Sequence, residues 1–181
     1  CIQAFQNAFS NANEGVGLVI KSMDGDQYPK EFKLLNSAMR NDPRVTIINT
    51  TYTPDEIIGL MNVCDVFLSL HRSEGIGFSI AQSMLLCKPV IATNYSGNTD
   101  FTRPDNSCLV DYKLIGVKKG EYPYSNGQVW ADPNLDQAAS YMRKLVEDDT
   151  YRNTLAKAGY SYIKTNHNSE TVGRNYRSRL V

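Results

Sequence analysis

Short apolar runs alternate with amphipathic segments along this chain. Val16-Gly-Leu-Val-Ile20, Arg44-Val-Thr-Ile-Ile-Asn49, Asp65 to Leu70, Val90-Ile-Ala-Thr93 and Ser107-Cys-Leu-Val-Asp111 are bounded by turn residues and predict buried strands. The segments between them carry apolar residues at helical spacing. Lys30 to Arg40 predicts a helix with Pro29 near its start, and Phe78 to Leu86 predicts another. Thr53-Pro-Asp-Glu56 is a capping box with Pro at the first helical position, opening a helix to about Val63. Residues 1–10 read as the tail of a helix (Ile2, Phe5, Ala8, Phe9) stopped by Asn11 to Asn13. Towards the end, Asp132 and Pro133 start a helix with Leu135, Ala138, Ala139, Met142, Leu145 and Val146 on one face. Thr150 starts the next, with Leu155, Ala158, Gly159, Tyr162 and Ile163 in register, and these stripes face a core. Ser169 caps a last helix whose stripe is Val172, Tyr176 and Leu180. Strands alternating with helices predict the α/β class, as a Rossmann-like doubly wound parallel sheet with helices on both faces.

One stretch carries chemistry. Val66-Phe-Leu-Ser-Leu70 ends in a loop with Gly75 and Gly77, and the helix from Phe78 follows at once. Ligands in such sheets sit at the carboxyl ends of strands, against the next helix N-terminus. Glycine lets the backbone approach a ligand, and the first helical turn offers unpaired N–H groups and a positive dipole end, so the loop suits an anion. Glu74 does not suit a bare phosphate, because a carboxylate repels it, but it accepts hydrogen bonds from hydroxyl groups. Gln82, eight positions on, lies about two turns along and faces the same cleft. A ligand with both hydroxyls and phosphates, such as a nucleotide sugar, meets these features. The competing reading is that a βαβ unit needs a glycine turn anyway and that Glu74 is solvated. His71 either stands at the sugar or phosphate end of the cleft or orders the loop through a hydrogen bond. Lys21, at the carboxyl end of the first strand, either reaches a diphosphate or is solvated.

The charges balance, 19 basic against 19 acidic, which gives no argument for a nucleic-acid or membrane surface. No apolar run approaches the ~18 residues of a membrane span, and no signal-peptide pattern or internal repeat is present. The length of 181 residues suits one domain with a sizeable core. Cys1, Cys64, Cys87 and Cys108 form no Cys-x-x-Cys pair, and Cys64 and Cys87, in apolar company, read as reduced core residues. A cytoplasmic setting follows. His71 and His167 are far apart in the sequence, and His167 lies in a polar region, so neither a histidine nucleophile triad nor a metal cluster is indicated.

Arg72-Ser-Glu-Gly-Ile-Gly-Phe78, Ala81-Gln-Ser-Met84, Lys88-Pro-Val-Ile-Ala92 and Gly97 resemble the C-terminal, donor-binding domain of retaining GT-B glycosyltransferases of the large group-1 family (family 4). The resemblance runs over roughly residues 1–165 and is strongest from Asp65 to Phe101. Two positions depart from the family pattern: Gln82 replaces the second Glu of its Glu-x7-Glu signature, and Cys87 replaces the Gly before Lys-Pro-Val. The resemblance implies transfer of a sugar from a nucleotide-sugar donor to an acceptor hydroxyl, with retention at the anomeric carbon. It implies that Glu74, the family's first Glu, serves the sugar hydroxyls or the departing diphosphate. The backbone N–H groups of Gly75, Ile76, Gly77 and Phe78 would hold phosphate and sugar, and Gln82 the ribose hydroxyls. A neutral amide there accepts a weaker bond than a carboxylate. The loop from Asn49 and Thr50 to Tyr52 would line the base, and Ser96, Gly97 and Asn98 would form a turn closing over the donor. No cofactor or metal is expected, since helix N-termini and basic side chains stabilise the leaving diphosphate.

The family's domain opens with a strand bearing an Arg/Lys pair, and that strand is absent from residues 1–181. The chain is therefore expected to be a fragment, inactive by itself, whose sugar or lipid-linked sugar acceptor binds an N-terminal domain. Residues 166–181 are expected to cross back to that domain, leaving Val172, Tyr176 and Leu180 exposed here. Family company suggests cell-surface polysaccharide synthesis, with the full-length protein cytoplasmic or peripheral to the inner face of the membrane. A nucleotide-sugar 2-epimerase-like enzyme and a non-catalytic nucleotide-sugar-binding module stay open; an epimerase wants paired carboxylates near the sugar, and this loop offers only Glu74. Tyr112 to Ala131 reads as a long loop carrying Lys118, Lys119, Glu121, Tyr122, Tyr124 and Trp130. It either flanks the cleft or lets Trp130 pack on the fold.

Overall fold

The structure is a computed structural model that describes residues 1–39 and 42–180. The expected helix end at Arg40 lies outside those residues, as does Val181. In chain order the elements are α1 (Ile2–Ala8), β1 (Leu18–Ser22), α2 (Pro29–Ala38), β2 (Val45–Asn49), α3 (Pro54–Val63), β3 (Phe67–Ser69) and α4 (Phe78–Leu85). They continue with β4 (Val90–Thr93), a 3₁₀ turn (Ser96–Asp100), β5 (Cys108–Val110), β6 (Tyr112–Gly116), β7 (Val129–Pro133), α5 (Leu135–Glu147), α6 (Asp149–Asn166) and α7 (Ser169–Arg179).

β3, β4 and β5 form a parallel sheet in that order, and β1 pairs in parallel with β2 from Leu18↔Val45 to Ser22↔Asn49. The chain is thus a mixed α/β domain with parallel strands between helices. The expected single sheet is split in two, with no hydrogen bond joining the halves among the described residues. A doubly wound order puts a strand between such halves, and no described segment takes that place.

β4 explains the layering. All four of its residues are buried. Its period of two sends Ile91 into one core, with Phe5, Phe9, Val110, Ala138 and Leu145. Val90 and Ala92 enter a second core on the opposite face, with Ile80, Met84, Phe101 and Ile163. A strand buried on both faces reads as a continuous apolar run, as Val90 to Thr93 does. So α1 and α5 cover one face, and α4 and α6 the other. Gly159 lets α6 close on α4: a Cβ there would meet Met84 Cε at 3.2 Å.

Caps set the helix starts. Glu56 N–H donates to Thr53 Oγ1 (3.3 Å), and Thr53 N–H donates to Glu56 Oε2 (2.7 Å), completing the box at α3. Three expectations change. Asp132 and Pro133 finish β7 rather than start α5, because Asn134 Oδ1 accepts from both Asp136 and Gln137 N–H at 3.1 Å and caps the helix itself; proline suits the end of a strand, where no N–H is needed. Asn168 rather than Ser169 caps α7, its Oδ1 accepting from Thr171 N–H at 2.8 Å. The Tyr112–Ala131 loop contains an antiparallel hairpin, β6 with β7, in register from Tyr112↔Pro133 to Gly116↔Val129. β6 is exposed along its length, so no buried face imprinted a period of two on it.

The cysteines also differ from expectation. All four are free, and it is Cys108 that is buried, with burial pushing its thiol pKa up. Cys64 is only half-buried, and Cys87 is exposed. Cys87 follows α4 with φ +55°, its N–H donating to Met84 O (2.9 Å), while Lys88 N–H donates to Ser83 O (2.9 Å). That is the paired-bond helix stop usually built on glycine. The Val172, Tyr176 and Leu180 stripe of α7 is exposed. Among the described residues no helix is long and apolar enough to cross a membrane.

Two outcomes follow. A side chain in the left-handed region costs roughly 1 kcal/mol, so Cys87→Gly is expected to raise unfolding stability by up to about that amount, read as a higher urea midpoint with an unchanged slope. The Glu56 carboxyl is held below its ordinary range, first by the Thr53 N–H and then by the Thr53 hydroxyl. A lowered carboxylate pKa contributes stability above its unfolded value and loses it as pH falls through the folded value. Urea midpoints taken from neutral into acid pH are expected to fall less steeply in Glu56→Gln than in the unaltered chain.

Candidate functional site

β3 and β4 end side by side, and the loops that leave them meet. The loop after β3 runs from Leu70 through Gly77, the N-cap residue of α4, which has φ +87°. That left-handed conformation favours glycine, and a Cβ on Gly77 would also press on Asn98 Cβ and Phe101 Cζ at 3.3 Å. The turn after β4 grips this loop from behind. Gly97 N–H donates to Glu74 O (3.0 Å), Ser96 Oγ donates to Glu74 O (2.7 Å), and Glu74 N–H donates to Ser96 Oγ (3.3 Å). The two backbones are so close that a Cβ on Gly97 would run into the Gly75 carbonyl and lie 2.9 Å from Ile76 N. The turn is itself anchored inward: buried Asn98 donates from Nδ2 to Thr93 O (3.0 Å) and to Thr102 Oγ1 (3.1 Å).

The Glu74 backbone is thus fixed, while its half-buried carboxylate has no hydrogen-bond or ion-pair partner among the described residues. The same holds for the N–H groups of Ile76, Gly77 and Phe78, since α4 has no side-chain cap. Ile76 and Phe78 present exposed side chains beside them. An unpartnered carboxylate next to unpartnered amides offers both acceptor and donor groups to a ligand, which suits hydroxyls together with an anion. Gln82, one turn further along α4, is exposed, and its side-chain amide has no hydrogen-bond partner among the described residues.

His71 is occupied. Its Nε2 lies 3.0 Å from Tyr95 O and its Nδ1 3.0 Å from Ser69 Oγ. A carbonyl only accepts, so Nε2 donates to Tyr95 O, and in a neutral ring Nδ1 accepts from the Ser69 hydroxyl. The ring ties the β3 loop to the β4 loop, which is the loop-ordering alternative. Lys21, Asn49 and Thr50 form a separate group at the ends of β1 and β2. Lys21 Nζ donates to Ser22 O (2.6 Å) and lies 5.0 Å from the Tyr52 ring centroid. Asn49 Oδ1 accepts from Gly25 N–H (3.2 Å), and Thr50 is exposed. No hydrogen bond links this group to Glu74 among the described residues. His167 is exposed, its ring edge-on to Phe101 at 5.9 Å.

Sequence reasoning passed over Arg72 and Tyr95. Arg72 O accepts from Ala131 N–H (2.9 Å), and its guanidinium lies 4.8 Å from the Trp130 ring centroid. The Tyr95 ring lies 4.9 Å from that of Tyr112. A cation and an aromatic ring far apart in sequence leave no local pattern that would join them.

With this geometry in view, the relatives are informative. The structure is similar to the C-terminal domain of a group 1 glycosyl transferase (LpcC) from Francisella tularensis, at 19% identity over 93% of this chain and 77% of that one, with a TM-score of 0.68. It is also similar to HepE from Anabaena, solved in complex with UDP and glucose, at 19% identity over 98% of this chain and 44% of that one (TM-score 0.67). Sucrose-phosphate synthase from Thermosynechococcus elongatus is 18% identical over 99% of this chain and 42% of its own, again with a TM-score of 0.67. The chain spans less than half the length of the latter two proteins. None of the curated proteins matches it. These identities establish the fold. The family is established by the sequence model described as "Glycosyl transferases group 1", which matches residues 1–162: the chain belongs to the group 1 glycosyl transferases.

Proposed function

We propose that the loop from Glu74 to Gly77 and the start of α4 hold the diphosphate and sugar of a nucleotide-sugar donor. The protein containing this chain would then move that sugar to an acceptor hydroxyl with retention at the anomeric carbon. The observation that carries the reading is the unpartnered Glu74 carboxylate beside the unpartnered amides of Ile76, Gly77 and Phe78, on a backbone pinned by Gly97. HepE, a protein of this fold, is seen with UDP and with UDP-glucose, which supports the same ligand class here.

In this reading the division of labour is electrostatic. As the bond between the sugar and the diphosphate breaks, negative charge grows on the departing oxygen. Fixed N–H groups at a helix N-terminus meet that charge without reorganising. The reading requires no metal. Glu74 accepts from sugar hydroxyls and fixes the ring against the phosphates. Gln82 takes the ribose hydroxyls with a neutral acceptor, and Lys21 adds positive charge from β1 once it leaves Ser22 O. The acceptor is a sugar or lipid-linked sugar of cell-surface polysaccharide assembly, held by a part of the protein outside residues 1–181.

A thermal-shift screen against UDP, GDP and ADP sugars tests the donor site, because a ligand that binds only the folded state raises apparent stability by mass action. One nucleotide class is expected to shift the melting temperature. Glu74→Ala is expected to weaken that binding by about 10- to 100-fold, the usual range for losing hydrogen bonds to a charged group. No shift with any of the three, measured on the protein at its natural length, would overturn the reading.

Gly97→Ala tests the pinned backbone. The added methyl group has to push the Gly75 carbonyl away. Donor affinity is expected to fall at least as far as in Glu74→Ala, with faster hydrogen exchange at the Glu74 amide, whose N–H donates to Ser96 Oγ. Unchanged affinity and exchange would show that the close approach is not needed.

A further inference from the structure

The β6–β7 hairpin touches the Glu74 loop with β7 and the neighbouring turn after β4 with β6. From β7, Ala131 N–H donates to Arg72 O at 2.9 Å, Trp130 stacks on the Arg72 guanidinium with 4.8 Å to the ring centroid, and Asp132 Oδ1 lies 3.5 Å from Arg72 Nη2. From β6, Tyr112 packs on Tyr95, whose carbonyl accepts a hydrogen bond from His71 Nε2. Residues 71 and 72 are therefore held from the hairpin side, and Glu74 and Gly75 from the side of Ser96 and Gly97. The Trp130 indole N–H is buried with no partner among the described residues, so the ring is held by its face rather than by a hydrogen bond. The far end of the hairpin is open, with Tyr122 and Tyr124 exposed.

We propose that Arg72 and Trp130 are positioning residues. Through them the β6–β7 hairpin acts as the outer wall of the donor loop and sets where the Glu74 carboxylate stands. This rests on the donor-site reading for its function, but the mechanical half stands on the contacts alone. An exposed salt bridge contributes little, so the Arg72–Asp132 pair is secondary. The stacked guanidinium and the backbone bond carry the link. Lysine presents a compact ammonium rather than a planar group, so it does not reproduce the stack.

Two measurements on the protein at its natural length separate the halves. The first is hydrogen exchange without nucleotide at the Glu74 amide, which donates to Ser96 Oγ, and at the Gly97 amide, which donates to Glu74 O. Trp130→Ala and Arg72→Ala are expected to speed it by about tenfold, a factor within the range of a partly desolvated cation–π contact. Trp130→Phe is expected to restore protection, and Arg72→Lys only part of it. The second is calorimetric titration with UDP. UDP is expected to bind about tenfold more weakly to Trp130→Ala than to the unaltered protein, with Trp130→Phe close to normal. Unchanged exchange in folded Trp130→Ala and Arg72→Ala overturns the proposal whatever UDP does. Should Trp130→Ala not fold, Arg72→Ala and Trp130→Phe decide it by the same exchange. Faster exchange in the alanine variants, with no UDP binding to the unaltered protein, supports the wall and overturns the donor reading instead.

Discussion

Two backbones meet where no side chain fits between them. Gly97 lies against the Gly75 carbonyl and donates its own N–H to Glu74 O. Other features of the site depend on that approach. It holds the peptide groups of Glu74 and Gly75 from behind, while the Glu74 carboxylate and the N–H groups of Ile76, Gly77 and Phe78 have no partner among the described residues. Ser96 adds a hydroxyl that donates to the Glu74 carbonyl and accepts from the Glu74 N–H. The Glu74 backbone is therefore saturated while its side chain has no partner among the described residues, so at the moment of binding only side-chain rotamers remain to be ordered.

The approach is possible because of the layer beneath it. β4 is buried on both faces, and its neighbours β3 and β5 are parallel to it, so their carboxyl ends emerge on one edge. Asn98, buried under the turn, ties the turn back to the last residue of β4 through Thr93 O. Core packing thus sets the height of one loop, and the other must come down onto it. The hairpin after β5 closes the remaining side. It uses groups that a soluble surface would otherwise leave loose, an arginine and a tryptophan.

Much of this was legible in the residues. The apolar runs gave the parallel strands, and β4 fell on Val90 to Thr93 as read. Thr53-Pro-Asp-Glu56 formed its capping box, because both partners of a cap lie within one turn of each other. Boundaries slipped where a long-range bond decided them: β1 begins at Leu18, whose N–H donates to Arg44 O on the neighbouring strand. The departure at Cys87 became intelligible only with its φ of +55° in view. The position wants glycine for its backbone, and a sequence shows the residue but not the dihedral.

What the sequence determined by itself was local: which segments are strand or helix, where glycine breaks them, and that Glu74 stands between a strand and a helix N-terminus. These follow from periodicity and from caps, which act over a few residues. What only the tertiary structure decided was which distant groups meet. The sequence singled out Gly97 and Gly75 separately, yet their contact needs β3 and β4 paired. The β6–β7 hairpin left no alternation to read, since every residue of β6 is exposed, and its strands recognise each other through backbone bonds rather than through side-chain type. Arg72 and Trp130 meet where β7 docks on the loop after β3, and His71 meets Tyr95 because β3 and β4 are paired. Glu74 was visible early because its neighbours in the chain explain it; the groups that hold it in place were not, because their reasons lie across the fold.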